Sequence, residues 1–162
     1  MEYPKRKRAR LKEHDYSKNG AYFVTICTKD RRHLLWDVGA TYGRPHSDPP
    51  LSNIGHLVNN EIKRISAIYD SVSIEKSIVM PNHVHMIILI IQNDSGRPQN
   101  VPTVSRVVQQ FKGSVSKQAG FSIWQKSFYE HIIRNEQDYI EIWNYIDTNP
   151  LKWLKDKYYN IP

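Results

Sequence analysis

A chain of 162 residues, 40% of them apolar, has enough length and apolar content to build its own core and is too apolar to be disordered. Its net charge of +7 favours a polyanionic partner, either nucleic acid or an acidic membrane surface, without choosing between them. The single cysteine, Cys27, excludes an intramolecular disulfide, and the longest apolar run, 86–91, is far short of the roughly 20 residues of a membrane span. The basic N-terminus is followed by no apolar h-region, so no secretory signal is expected. The expectation is one soluble cytoplasmic domain spanning 1–162.

The chain opens on a basic arm over 1–12. It reads either as a solvated charge run or as a clamp on phosphates. AYFVTICT, 21–28, is β-branched and aromatic and predicts a strand. The stretch 43–50 is rich in Pro, Gly and Ser and predicts a loop. Ile54, Leu57, Val58, Ile62, Ile65 and Ile68 recur at helical spacing and predict a helix over 54–69, capped by Ser52 or Asn53. Strands follow over 72–80 and 83–91, broken by Met80-Pro81-Asn82. After a second loop, 93–102, the stripe Val104, Val107, Val108, Phe111 and Val115 predicts a helix over 103–119 with Thr103 as its cap. The segment 124–133 reads as a short strand or extended chain, 136–149 as a third helix, and 151–159 as a short basic helical tail. The order strand, helix, strand, strand, helix, strand predicts an α+β fold. It is a ferredoxin-like split βαβ with a central antiparallel sheet, helices on one face and an extra C-terminal helix.

His83-Val84-His85 lies on the strongest strand signal. Residues two apart on a strand point to the same face, so both imidazoles project side by side, as two ligands to one metal must. The bland reading is two polar positions on a half-exposed strand. In the third helix Tyr139, Ile142, Trp143 and Ile146 form the apolar stripe, at i, i+3, i+4, i+7. Tyr145 and Asn149, four apart, share one flank of that helix, with Asp138 on the same flank. Pro150 should stop the helix after Asn149. A phenol with a pKa near 10 is a poor nucleophile unless a cation beside it polarises the phosphodiester. Two His and an Asn carboxamide oxygen make a mixed N/O set that suits Mn²⁺ well and Mg²⁺ less comfortably. The bland readings are a surface tyrosine, one of ten in the chain, and an Asn-Pro helix terminator.

MPNHVHMIILI resembles the HUH motif segment of the REP-associated tyrosine transposases, relatives of the single-tyrosine insertion-sequence transposases. RLKEHDYSKNGAYFVTICTKDRRHLLW resembles that family's N-terminal strand region, and WQKSFYEHIIRNEQDY with YIDTNPLKW its C-terminal block. The resemblance implies His83 and His85 as metal ligands with Asn149 as a third, Tyr145 as the nucleophile, and Mg²⁺ or Mn²⁺ as cofactor. It implies cleavage and rejoining of single-stranded DNA near palindromic hairpins through a 5′-phosphotyrosine, in a protein that is often a homodimer. Two rivals stay open: a non-catalytic, domesticated hairpin-binding protein, and a metal-dependent phosphoesterase that uses a metal-bound hydroxide.

Lys5, Arg6, Lys7, Arg8, Arg10, Arg31, Arg32, Lys112, Lys117 and Lys152 are the candidate DNA-binding residues, with Arg106 and Lys155 beside them. Trp124, Phe128, Tyr129 and Trp153 are candidate stacking platforms, and at least half of them are expected to pack in the core instead. His14, His33, His46, His56 and His131 lack a partner at ligand spacing and read as structural, surface or loop residues. Cys27 reads as a small core residue.

Overall fold

The computed structural model describes residues 20–37, 50–91 and 101–159. The basic arm, with Lys5, Arg6, Lys7, Arg8 and Arg10, lies outside the described residues, as does nearly all of the two expected loops. The elements are β1 (Gly20–Cys27), α1 (Asn53–Ile68), β2 (Val72–Val79), β3 (His83–Ile90), α2 (Val104–Ala119), β4 (Tyr129–Ile133) and α3 (Glu136–Thr148). The sheet runs in the order β2-β3-β1-β4 with every neighbour antiparallel, which is the expected split βαβ arrangement.

Local chemistry sets the element ends. Ser52 caps α1 by accepting from Gly55 N at 3.0 Å, and its hydroxyl donates to Leu34 O at 2.6 Å. Gly55 is required here: a Cβ would stand 2.0 Å from the Leu35 carbonyl oxygen. Thr103 caps α2, which ends on Gly120 in the left-handed region at φ 82°. The extended stretch expected from 124 forms a strand only from Tyr129, and ahead of it Thr28 and Trp124 meet in an isolated bridge.

β3 alternates as its period demands. Val84, Met86, Ile88 and Ile90 enter the main core under α1 and α2, with Tyr22, Val24, Ile62, Ile65, Val107 and Phe111. The opposite face is covered by α3. There Phe23, Ile87 and Ile146 are buried, with Tyr139, Ile142 and Trp143 packed against them. The α3 stripe thus packs as its spacing predicts, but on the face away from the other two helices. A bulge between Ile74 and Lys76 makes this possible at the β2 edge. Before it, Ile74 pairs with Ile88 toward the main core. After it, Lys76 pairs with Ile87 and turns toward α3, where its ammonium pairs with Asp147 and lies 4.4 Å from the Trp143 ring centroid.

One buried carboxylate joins the two helices of the main layer. Glu61 on α1 accepts from Ser114 Oγ (2.7 Å) and Gln118 Nε2 (2.8 Å) of α2, and from its neighbour Arg64 (2.7 Å). Burial alone would raise its pKa, but Ser114, Gln118 and Arg64 together bring it below the ordinary value. Glu61→Ala leaves the α2 donors without their acceptor, so chemical denaturation should show a loss of about 1–3 kcal/mol. A midpoint unchanged from wild type would deny Glu61 that role.

Candidate metal and nucleophile site on the α3 face of the sheet

His83 and His85 point to the α3 face, and both are fully buried rather than half-exposed. α3 and the chain that follows it close over them. Pro150 ends the helix, as the Asn-Pro step predicts. A 3-10 turn (Pro150–Lys155) then carries the chain back, with Trp153 buried and its ring 5.8 Å from His83. That return places Asp156 and Tyr158 against the histidine pair. The Tyr158 ring lies 4.6 Å from His83 and 6.0 Å from His85.

The two Nε2 atoms are 3.0 Å apart. His83 Nδ1 meets Asn82 Oδ1 at 2.8 Å, while Asn82 Nδ2 donates to the carbonyls of Arg31 and Tyr158. A carboxamide oxygen only accepts, so His83 carries its proton on Nδ1 and presents a lone pair on Nε2. His85 Nδ1 meets Thr25 Oγ1 at 2.8 Å. When His85 donates there, both Nε2 lone pairs face the same space. Burial holds both imidazoles neutral. His85 is pushed down to about 3, with Lys157 adding to the effect, and His83 falls well below its usual value through burial, His85, Lys157 and Arg31.

Asp156 completes a group that can hold a metal ion. One ligand atom each from His83, His85 and Asp156 lie within 4.8 Å of one another, and Asp156 Oδ2 stands 3.9 Å from His83 Nε2. Asp156 Oδ2 and Asn149 Nδ2 are both buried, and among the described residues neither meets a partner at full hydrogen-bond geometry, although the Asn149 side chain bears on both Asp156 and Tyr145. Two facing nitrogen lone pairs and a buried carboxylate oxygen are a donor set that a cation satisfies. Two nitrogens bound at right angles to one ion lie about 3 Å apart, so the spacing fits.

Tyr145 stands beside this group. Its ring centroid is 5.2 Å from that of His85 and 6.1 Å from that of Phe23, and 38% of the residue is exposed. Burial of the phenol and the charge of Asp156 push its pKa up to about 12, against a downward pull from Asn149. Tyr145, Asn149 and Asp156 line a cavity of about 250 Å³ together with Thr148, Lys152, Lys155 and Lys157. Tyr145, Asn149, His83 and His85 are therefore brought together, and Lys152 and Lys155 with them.

Other candidates fall elsewhere. Arg31 reaches the site, 5.8 Å from the Tyr158 ring centroid, and Arg32 is exposed beside it. Lys117 and Arg106 are exposed on α2, across the sheet from the histidines. Lys112 is not free for a phosphate: its ammonium donates to the carbonyls of Gln125 and Lys126, and burial lowers its pKa. Trp124 and Trp153 are core residues, whereas Tyr129 is exposed. His131 pairs with Asp138 at 2.8 Å, away from the metal group. Sequence reasoning missed Asn82, Thr25, Asp156, Tyr158 and Lys157. Asn82 adjoins the HxH pair and was legible as its support. Thr25 is reached only through the β1–β3 register, and Asp156 only through the turn after Pro150.

No protein-family profile matches the sequence. An uncharacterised Haemophilus influenzae protein is 32% identical over 95% of this chain and 93% of its own length. An Escherichia coli REP-associated tyrosine transposase is 27% identical over 86% of this chain and 73% of its own. A solved structure of a REP-associated tyrosine transposase bound to a REP hairpin superposes with a TM-score of 0.64 at 25% identity, covering 89% of this chain and 74% of that one. The chain belongs to the REP-associated tyrosine transposases. The fold agrees with the structural neighbour of that family, and transposase function is what membership carries. Among the described residues of this transposase, no helix is long and apolar enough to cross a membrane.

Proposed function

We propose that the protein cuts and rejoins single-stranded DNA near palindromic hairpins, with Tyr145 as nucleophile and a divalent cation held by His83, His85, Asp156 and the Asn149 carboxamide. The observation that carries this reading is the pair of Nε2 atoms 3.0 Å apart with the Tyr145 ring beside one of them. The hairpin enters because the structural neighbour is bound to one.

His83 and His85, neutral through burial, offer lone pairs without first losing a proton. Asn82 and Thr25 hold the rings in the ligating orientation from behind. The bound cation, Mn²⁺ or Mg²⁺, supplies Lewis-acid polarisation of the phosphodiester and offsets the charge of Asp156 that raises the Tyr145 pKa. Lys152, Lys155 and Lys157 line the cavity where a phosphate would lie. Tyr145 gives its proton to solvent, which returns one to O3′, and forms an Oη–P bond as the P–O3′ bond breaks. The DNA then carries a free 3′-OH, protonated on leaving, and a 5′-phosphotyrosyl link. Attack by a 3′-OH reverses the step, so rejoining needs no external energy source.

The test is incubation with single-stranded oligonucleotides bearing palindromic hairpins plus Mn²⁺, read on a denaturing gel. A covalent protein–DNA band supports the reading, and cutting without an adduct points to a metal-bound hydroxide instead. Hairpin binding without any cutting would favour the non-catalytic binder. The family resemblance also implies a homodimer, which sedimentation velocity should report at twice the 19.1 kDa chain mass.

A further inference from the structure

The sheet carries an aromatic ledge next to this site that the chemistry above does not use. Antiparallel partners share a face, and one row crosses all four strands: Ile78 pairs with His85, His85 with Thr25, and Thr25 with Tyr129. Tyr129 opens the edge strand β4 and is 43% exposed, although it sits in the same row as a fully buried metal-ligand candidate. Its ring meets Phe23 edge-on, with centroids 6.3 Å apart. Phe23 in turn stacks on His85 at 5.2 Å and touches Tyr145. Lys157, one of the residues lining the Tyr145 cavity, sits 5.3 Å from the Tyr129 ring centroid.

An aromatic face at a sheet edge, with a lysine between it and a phosphate-sized basic cavity, is the pairing that binds an unpaired nucleotide: ring on base, ammonium on phosphate. An ordinary core tyrosine would be covered, and here the edge-on Phe23 ring and the Lys157 ammonium leave 43% of the residue open. We infer that Tyr129 is the stacking platform for a base flanking the phosphate presented to Tyr145, and that Lys157 holds the phosphate between them. This rests on the cleavage reading for its substrate, and it makes Tyr129 a positioning residue.

The experiment measures binding, so that cutting does not enter. Fluorescence anisotropy would follow a labelled hairpin with a single-stranded flank on a Tyr145→Phe background in EDTA, with a series of oligonucleotides each abasic at one flanking position. Tyr129→Ala should weaken binding about tenfold, whereas Tyr129→Phe, which keeps the ring, should stay within about twofold of the parent. One abasic position should cost the parent about as much as the Ala variant does, and cost the Ala variant nothing more. Lys157→Ala should weaken all oligonucleotides alike and lower the salt slope by about 1. Equal binding by Tyr129→Ala, equal losses for Ala and Phe, or additive losses at every abasic position would overturn the platform. A Tyr145 protein that binds these strands yet makes no adduct would sink the cleavage reading alone. Failure to bind single strands at all would overturn both.

Discussion

Tyr145→Phe is expected to erase the covalent protein–DNA band while leaving hairpin affinity and folding unchanged. The substitution removes one hydroxyl from a ring that is 38% exposed and keeps its contacts with Phe23 and His85. Among the described residues the group bearing on that oxygen is the Asn149 side chain, so a thermal melt should stay close to the wild type. Adduct formation should fall by roughly 10⁴-fold or more, the scale on which enzymes depend on a covalent nucleophile. In the metal-free chain the phenol is pushed up to about 12 by burial and by Asp156, so it stays protonated across neutral pH. The adduct should therefore require the cation even for the wild type. A Tyr145→Phe protein that still forms the band would move the nucleophile to another tyrosine, with Tyr139 on the same helix first in line.

Removing one imidazole should have the second largest effect. Mn²⁺ at about 100 times its Kd should stabilise the wild-type fold by about 2.7 kcal/mol, visible as a rise in Tm of several degrees. His85→Ala should abolish that rise and the adduct together. His85 is fully buried, so the variant will have a lower Tm without metal. The informative quantity is the metal-dependent difference, which a purely structural role would leave intact. Asn82→Ala keeps both histidines but loses the acceptor behind His83 and the two donor contacts to the Arg31 and Tyr158 carbonyls, so Mn²⁺ affinity should drop by about 10- to 100-fold rather than vanish. Because burial depresses both histidines, with His85 pushed down to about 3, protons should not compete with Mn²⁺ between pH 8 and 6, where an exposed histidine would begin to. An Mn²⁺-induced shift of equal size in His85→Ala would place the cation elsewhere.

Periodicity and chain order were sufficient for the frame. The stripe from Ile54 to Ile68, the alternation after His83 and the stripe from Val104 to Val115 are local patterns whose spacing decides helix or strand, and the order of elements narrows the topology to a split βαβ. The juxtaposition of His83 with His85 is likewise local, because two residues apart on a strand is one face. Tyr145 and Asn149 share a helix flank for the same reason.

What no local pattern contains is which face each element covers. α3 carries an ordinary amphipathic stripe, and only the packing of Ile146 on Phe23 and Ile87 puts that stripe on the histidine face of the sheet. Asp156 enters the site because Pro150 ends α3 and Trp153 anchors the returning turn, a tertiary event with no signature in the spacing between Asp156 and His83. The commitment of Lys112 to two carbonyls, the exposure of Tyr129 beside buried Trp124, and the link from Thr25 to His85 all follow from strand register and helix docking. The amino-acid sequence thus decides the elements and the reactive groups through short-range sterics and burial of apolar stripes. Which groups meet is decided by long-range packing, which forms only when the sheet closes and both of its faces are covered.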